Sequence, residues 1–200
     1  MKILNKENIN EIVSAVKKGK VLVFPTETSY GLGCDATNQE SVDKIFKIKK
    51  RSNSKSLLVV VDSIKEAKKY LKWSGVLEKI SQRYWPGSLT VVSDSCLNNN
   101  LSVGVAGEDN TLALRVGEDD FLKEICHNLD YPLVATSANI AGEGNIYKFE
   151  EIKKVFDKED VVLVDGGNLQ VVPSTTIIKI KDEKLTVLRQ GSLKIDLKNI

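Results

Sequence analysis

The stretch VLVFPTETSYGLGCDA, residues 21–36, decides how the rest of the chain is interpreted. It begins with four apolar residues, Val21–Phe24, which predict a short buried strand. Two hydroxyls and a carboxylate follow in Pro25–Thr28, and then the glycines Gly31 and Gly33. A strand that ends in polar groups and glycines is typical of the ligand-binding edge of an open α/β sheet.

Apolar periodicity extends this pattern along the chain. Helical spacing predicts helices at 9–16, 38–49, 75–84, 121–128 and 149–156. Apolar runs predict strands at 57–61, 88–92, 111–116, 133–135, 161–164, 175–180 and 185–188. The last two strands flank Asp182-Glu183 and therefore predict a hairpin. Alternating strands and helices with a terminal hairpin predict an α/β fold with a mixed sheet, in a single domain over residues 1–200.

Composition limits the class of protein. The 200 residues are 42% hydrophobic and 28% charged, which is ordinary for a globular domain. A net charge of +2 is not typical of a dedicated duplex binder. No apolar run approaches the roughly 20 residues of a membrane span, and residues 1–6 lack the apolar core of a signal peptide. We therefore expect a cytoplasmic protein without a membrane contact, whose three cysteines are reduced thiols.

Two residue types are scarce. His127 is the single histidine, so neither a Ser-His-Asp triad nor a histidine metal cluster has the residues it needs, and no metal ligands are predicted. Arginine occurs four times among 29 basic residues, as Arg51, Arg83, Arg115 and Arg189. Because the planar guanidinium binds phosphate or carboxylate through two nitrogens at once, each arginine is a candidate anion ligand.

Polar loops follow several predicted strands and carry hydroxyls, amides and glycines rather than a nucleophile paired with a base. The candidates are Thr26, Thr28, Ser137, Ser174 and Thr175 among the hydroxyls, and Asn139 and Asn145 among the amides. Neither a GxGxxG fingerprint nor a Walker sequence is present, so phosphates must be held in another way. Lys49-Lys50-Arg51, at the end of a predicted helix, are candidates for that role.

Seven motifs together resemble the YrdC/TsaC family of threonylcarbamoyl-AMP synthases in order and spacing. They are FPTETSYGLGCDA (24–36), KIKKRSNSKSLLV (47–59), YWPGSLTVV (84–92), TLALRV (111–116), ATSAN (135–139), VPSTTI (172–177) and LRQGS (188–192). The resemblance covers residues 20–192. It implies an open, twisted mixed sheet with flanking helices around a deep, positively lined cavity. It also implies a nucleotidyltransferase that joins L-threonine, bicarbonate or CO2 and ATP into threonylcarbamoyl-AMP and pyrophosphate, for N6-threonylcarbamoyladenosine in tRNA.

The resemblance assigns roles to the residues that match its motifs. Lys49 and Arg51, the KxR motif, would be catalytic and would bind ATP. The further ATP ligands would be Asn53, Thr111, Ser137, Asn139, Asn145 and Arg189. The L-threonine ligands would be Thr26, Arg115, Ala135 and Ser174. Mg²⁺ would accompany ATP, a downstream threonylcarbamoyl-transferase complex would take the product, and tRNA could be contacted weakly.

The sequence departs from the family at two positions. Thr136 stands where many members have proline, and Val60 stands in the strand where many have histidine. A threonine contact made by that histidine would be missing or replaced. Because a carbamate is fragile in water, we also expect a lid, with Arg51–Ser56 and Asn98–Asn110 as candidates.

Two other functions stay open at this point. One is an RNA-binding module for tRNA or double-stranded RNA, which would use the basic residues 44–55. The other is a related enzyme that forms a carbamoyl-adenylate from carbamoyl phosphate. The RNA-binding alternative predicts strongly salt-dependent RNA binding without threonine, whereas the synthase predicts pyrophosphate release that depends on threonine.

Overall fold

The computed structural model describes residues 2–51, 56–96 and 100–196. The strands in these ranges are Lys2–Asn5 (β1), Val21–Pro25 (β2), Tyr30–Gly33 (β3), Val59–Val61 (β4), Leu89–Asp94 (β5), Thr111–Val116 (β6), Leu133–Val134 (β7), Thr136–Ser137 (β8), Val161–Asp165 (β9), Thr176–Lys181 (β10) and Lys184–Arg189 (β11). The helices are Ile9–Lys17 (α1), Gln39–Lys49 (α2), Ile64–Ala67 (α3), Gly75–Tyr84 (α4), Asp120–His127 (α5) and Phe149–Val155 (α6).

The predicted α/β fold is confirmed, and its strands form two mixed sheets. The first sheet has the order β1-β9-β2-β3-β8, and the second sheet has the order β11-β10-β5-β6-β4-β7. The first combines parallel β1, β9 and β2 with antiparallel β3 and β8. The second contains the predicted hairpin, β10 and β11, whose turn has Asp182 and Glu183 at positive φ. Helices flank the sheets, as expected.

Local sequence explains where the helices begin and end. The Asn38 side chain accepts a hydrogen bond from the Ser41 N–H at 3.0 Å, which caps α2 at its N-terminus. Gly19 has a φ of 73° just after α1, the conformation in which glycine commonly ends a helix. His127 lies exposed in the last turn of α5, with its Nδ1 3.0 Å from Oδ2 of Asp62.

Three short strands are missing from the sequence prediction: β1, β3 and β8. The most consequential is β3, because the polar and glycine residues after Phe24 predict a loop, whereas Tyr30–Gly33 pairs antiparallel with β2. The PTET segment is therefore the turn of a β-hairpin. Gly33 is required there for close approach, since a Cβ at this position would lie 2.1 Å from the carbonyl oxygen of Val134.

The two sheets meet at the segment 133–137. Its first two residues form β7 in the second sheet, and its last two form β8 in the first sheet. Ala135 lies between them and donates its N–H to Leu58 at 2.9 Å, while the Val134 N–H bonds the Cys34 carbonyl at 2.8 Å. This short crossing holds the first sheet against the second.

The second sheet has two chemically different faces. On β5 and β6, Leu89, Val91, Leu112 and Leu114 point to one side and are fully buried in the main core. The alternate residues of the same strands point to the other side, since side chains alternate across a strand. That second face carries polar and charged groups and forms the wall of a cavity.

The described helices are all short; the longest is α2 with 11 residues. Within the described ranges, none combines the length and apolar character that crossing a bilayer requires.

Candidate functional site

A cavity of about 470 Å³ lies between the two sheets. One wall is the polar face of the second sheet: Thr90, Val92, Ala113, Arg115, Thr175 and Ile177. The opposite wall is the β2–β3 hairpin, with Thr26, Thr28, Ser29, Tyr30 and Gly31, and the crossing residues Ala135, Thr136 and Ser137. This volume is within the range of small-molecule sites.

The charged side chains among the described lining residues of the cavity are all positive. Arg51, Arg115 and Arg189 line it, and none of the described lining residues is an aspartate or glutamate. The fourth arginine, Arg83, lies instead on the surface, 3.5 Å from Asp196. Three guanidinium groups that face one cavity attract anionic ligands, because protein oxygens hold them in place there.

Arg115 is the most deeply buried of the three, with 5% of its side chain exposed. It is held by β6, whose neighbour β4 places Val60 opposite it. Its Nη1 donates to Oε1 of Glu27, and its Nη2 donates to Oε2 of the same carboxylate at 3.4 Å. Its Nε is buried without a hydrogen-bond partner in the described structure. Arg115 therefore binds a carboxylate through both terminal nitrogens, although that carboxylate belongs to the PTET turn.

Thr26 fixes the conformation of this turn. Its hydroxyl donates to the Ser29 carbonyl at 2.7 Å and accepts from the N–H groups of Thr28 and Ser29 at 3.1 and 3.2 Å. Such side-chain bonds to neighbouring backbone stabilise tight turns. Thr26 thus lies in the cavity wall while its oxygen holds the turn that carries Glu27.

Lys49 lies at the end of α2 and is almost fully buried, with 3% exposure. Its ammonium donates to the Ser137 carbonyl at 2.5 Å, to the Asn139 carbonyl at 2.9 Å and to Oδ1 of Asn139 at 3.1 Å. Burial, and then the charge of Arg51, lowers the pKa of Lys49 from 10.5 to about 8. The lysine connects α2 to the loop after β8 and is not part of the cavity wall.

The other two arginines are also anchored by protein oxygens. The Nη2 of Arg51 donates to the Ser56 carbonyl at 3.0 Å, and its Nε is buried without a described partner. Arg189 donates through Nε and Nη2 to the Thr175 carbonyl at 3.0 and 2.9 Å. These bonds orient both side chains, and burial lowers the pKa of both.

The structure brings most of the predicted ligands to one cavity. The predicted residues in its wall are Thr26, Arg51, Arg115, Ala135, Ser137, Asn145, Ser174 and Arg189. The Ser137 hydroxyl donates to Oδ1 of Asn139 at 2.6 Å, and the Ala135 N–H is already bonded to Leu58. A backbone contact from Ala135 would therefore use its carbonyl.

Other predicted residues lie elsewhere. Lys49 and Asn139 are buried behind the wall, and the Thr111 hydroxyl donates to Oδ1 of Asp109 at 2.6 Å. Val60 is buried in a separate core cluster. Asn53 lies outside the described residues, as do residues 52–55 and 98–99 of the expected lid segments. The ATP contacts of these side chains stay predictions.

Sequence reasoning did not assign Glu27 to the site. The PTET motif shows a carboxylate between two hydroxyls, but no local pattern predicts that it binds the most buried arginine. The scarcity of arginine was the available signal, since a buried arginine needs an anionic partner close by.

The described residues form no metal site made of protein side chains alone. Among residues 2–51, 56–96 and 100–196, no group of three or more His, Cys, Asp or Glu side chains is placed to hold a metal ion. The hydroxyls and arginines of the cavity suit an anion that carries its own Mg²⁺, because Mg²⁺ binds phosphate oxygens and keeps several waters.

Comparisons of the sequence with family models and with known proteins agree with the resemblance that the motifs show. The family model Sua5_yciO_yrdC, described as "Telomere recombination", matches residues 14–191. A threonylcarbamoyl-AMP synthase of Pseudoalteromonas translucida is 32% identical over 177 residues, which are 86% of this chain and 92% of that protein. The resemblance to such synthases is thereby confirmed.

Solved structures agree in fold. The crystal structure of P. abyssi Sua5 complexed with L-threonine superposes with a TM-score of 0.88 at 26% identity, covering 96% of this chain and 58% of that one. This chain thus spans somewhat over half the length of P. abyssi Sua5. E. coli YciO superposes with a TM-score of 0.84 at 23% identity, over 96% of this chain and 94% of its own, and supports the fold.

Proposed function

Because this chain belongs to the Sua5/YciO/YrdC family, we propose that it is an L-threonylcarbamoyladenylate synthase. It forms threonylcarbamoyl-AMP and pyrophosphate from L-threonine, bicarbonate or CO2, and ATP. The product supplies the threonylcarbamoyl group of N6-threonylcarbamoyladenosine in tRNA. The proposal has two supports: the relatives carry this activity in their names, and the cavity has the chemistry that the reaction requires.

The single observation that carries the proposal is the convergence of three arginines in one cavity. The reaction brings together a triphosphate, an amino-acid carboxylate and a carbamate, all of which are anionic. Arg51 and Arg189 are the candidates for the phosphates, and Arg115 is the candidate for the amino-acid carboxylate. RNA binding would instead need basic side chains on an exposed surface.

The proposed mechanism needs no protein nucleophile. The neutral amine of threonine attacks CO2 and gives up a proton to solvent as the carbamate forms, and a carbamate oxygen then attacks the α-phosphorus of ATP. The bond from the α-phosphorus to the bridging oxygen breaks, and pyrophosphate leaves with that electron pair. Aligning bound reactants in this way can lower a barrier by about 7–11 kcal/mol, and stabilising the developing phosphate charge lowers it further.

Each group of cavity residues has a part in that alignment. The arginines offset negative charge on the triphosphate and orient it in line with the carbamate. Hydroxyls from the β2–β3 turn and from the loop before β10, including Thr28 and Ser174, offer hydrogen bonds to the polar groups of threonine. Mg²⁺ bound with ATP would neutralise further phosphate charge. Lys49 holds Ser137 and Asn139 in position for these contacts.

The surroundings of the reaction belong to the same proposal. A mixed anhydride such as threonylcarbamoyl-AMP must pass to a transferase that acts on tRNA, so we infer a downstream threonylcarbamoyl-transferase complex as partner. Weak direct contact with tRNA is compatible with the exposed lysines Lys47 and Lys50 at the end of α2. Since the product serves tRNA, the proposed location is the cytoplasm.

The test measures pyrophosphate release from ATP, Mg²⁺ and bicarbonate with and without L-threonine. We expect release that depends on L-threonine, and a loss of about 100-fold or more in Arg51→Gln and Arg189→Gln, since each removes a charge at the phosphates. Arg83→Gln removes the same charge outside the cavity and should release pyrophosphate like the wild type. Release that requires carbamoyl phosphate instead of threonine would refute the proposal, and so would salt-dependent RNA binding without turnover.

A further inference from the structure

The ion pair between Glu27 and Arg115 has a consequence for ligand choice. Both side chains are largely withdrawn from solvent, with 19% and 5% of their surfaces exposed. Both terminal nitrogens of Arg115 donate to the Glu27 carboxylate. The pair is therefore a complete carboxylate-binding interaction made inside the chain.

A ligand carboxylate cannot bind the free end of the Arg115 guanidinium through two nitrogens while this pair is intact. Bidentate binding there uses one N–H of each terminal nitrogen, and Glu27 already accepts from Nη1 and Nη2. The other edge of the guanidinium needs Nε, which is buried. Two carboxylates at one guanidinium would also repel each other. An incoming carboxylate must therefore take the nitrogens from Glu27.

The turn that carries Glu27 places it well for such an exchange. Its neighbours Thr26 and Thr28 both line the cavity, so the released carboxylate stays at the cavity edge. The Thr26 hydroxyl fixes the turn backbone through three bonds, which leaves the side-chain torsions of Glu27 as the moving parts. Once displaced, a negative charge in this poorly solvated position needs a cationic partner.

We propose that Glu27 determines specificity by exchanging its ion pair with Arg115 for one with the ammonium group of an incoming amino acid. The ligand carboxylate takes Arg115, and the ligand ammonium receives Glu27. With a zwitterion bound, Arg115 and Glu27 each keep a partner of opposite charge. A carboxylate without an ammonium leaves Glu27 without a cationic partner. This inference rests on the proposed function, in which Arg115 binds the threonine carboxylate.

The test compares L-threonine with 3-hydroxybutanoate, which has the same carboxylate and hydroxyl but lacks the amine. Dissociation constants are measured by calorimetry for the wild type, Glu27→Gln and Glu118→Gln. Glu118 is an exposed carboxylate just beyond β6, so its variant matches the charge change. We expect the wild type to prefer L-threonine by about 100-fold or more, and this preference to fall by at least about tenfold in Glu27→Gln only.

The direction of each change matters. In Glu27→Gln, 3-hydroxybutanoate should bind more tightly than to the wild type. No protein carboxylate then competes for Arg115, and none is left without a cationic partner. L-threonine should gain nothing, because it loses its ammonium partner. An unchanged preference, or equal weakening of both ligands, overturns the inference while leaving the proposed function intact. A wild type that fails to bind L-threonine overturns both.

A second variant keeps the inference testable if Glu27→Gln folds poorly in thermal unfolding. Glu27→Asp keeps the negative charge on a shorter side chain and should keep the preference for L-threonine within about threefold. A tenfold loss of preference in Glu27→Asp would show that length rather than charge matters, and would also overturn the inference.

Discussion

Lys49 offers a direct measurement of how much one buried ammonium contributes to the cavity wall. Lys49→Met keeps most of the apolar stem and removes the charge. It removes three charge-assisted hydrogen bonds to oxygens of Ser137 and Asn139. Oδ1 of Asn139 keeps the Ser137 hydroxyl and the Ser137 carbonyl keeps the Asn139 N–H, so the Asn139 carbonyl is the oxygen that loses its described donor. A hydrogen bond to a charged group contributes about 1.5–3 kcal/mol, so losing three of them costs about 4–9 kcal/mol.

A second effect offsets part of that loss. The pKa of Lys49 falls from 10.5 in the unfolded chain to about 8 in the folded chain, so the buried charge destabilises the folded wild type by about 3 kcal/mol near neutral pH. Methionine removes this cost. The balance is a free energy of unfolding about 3 kcal/mol lower at pH 7, which is a large share of the 5–15 kcal/mol typical of a domain.

Urea unfolding followed by circular dichroism measures this difference. Lys47→Met is the matched control, because Lys47 lies one half-turn earlier on α2 and is exposed; it should change the unfolding free energy by less than about 0.5 kcal/mol. If Lys49→Met were as stable as Lys47→Met and yet lost ATP binding, the positioning role would be refuted. Direct contact of Lys49 with phosphate would then be the better explanation.

Three further predictions concern packing, recognition and pH. Gly33→Ala should prevent folding or cost more than about 3 kcal/mol, because its Cβ would lie 2.1 Å from the Val134 carbonyl oxygen. Arg115→Lys should weaken L-threonine binding more than ATP binding, since lysine loses the two-nitrogen grip. Raising the pH from 8 to 10.5 should stabilise the wild type relative to Lys49→Met, because the unfolded chain binds the Lys49 proton more tightly than the folded chain.

Each of these has a measurement and a contrary result. For Gly33→Ala the measurement is soluble yield and thermal midpoint, with Gly144→Ala as control, because a Cβ at Gly144 meets nothing within 4 Å; equal behaviour of the two would contradict the close approach. For Arg115→Lys, calorimetry that finds both ligands equally weakened would count against the assignment. For pH, a stability difference that shrinks between pH 8 and 10.5 would contradict the lowered pKa.

The long elements of the fold were predictable because their signals are local. Apolar periodicity predicted every described helix of eight or more residues, with each end within one residue of the observed end. Uninterrupted apolar runs predicted central strands such as β9 and β6. The short strands were not predictable in the same way. Glycine-rich β3 and the two-residue β8 are too short and, in β3, too rich in glycine to give a strand signal of their own, and they form because β2 pairs with β3 and β3 with β8.

The residues of the candidate site were likewise predictable where their signals are local in the sequence. Scarce arginines and polar strand ends can be read directly, and three of the four arginines do line one cavity. Which acceptors a lysine satisfies, or which carboxylate an arginine binds, depends on residues far apart in sequence. Lys49 and Asn139 are 90 positions apart, and Glu27 and Arg115 are 88 apart. No local pattern reports such pairs.

The short crossing between the sheets limits which substitutions could change the ligand specificity of this protein. Residues 135–137 are at once the base of the cavity and part of the joint that fastens one sheet to the other. Substitutions there that reshape the pocket would also loosen the architecture. Adaptation to a different amino acid is easier at the hairpin turn or near β11, where a side chain can change without disturbing the joint.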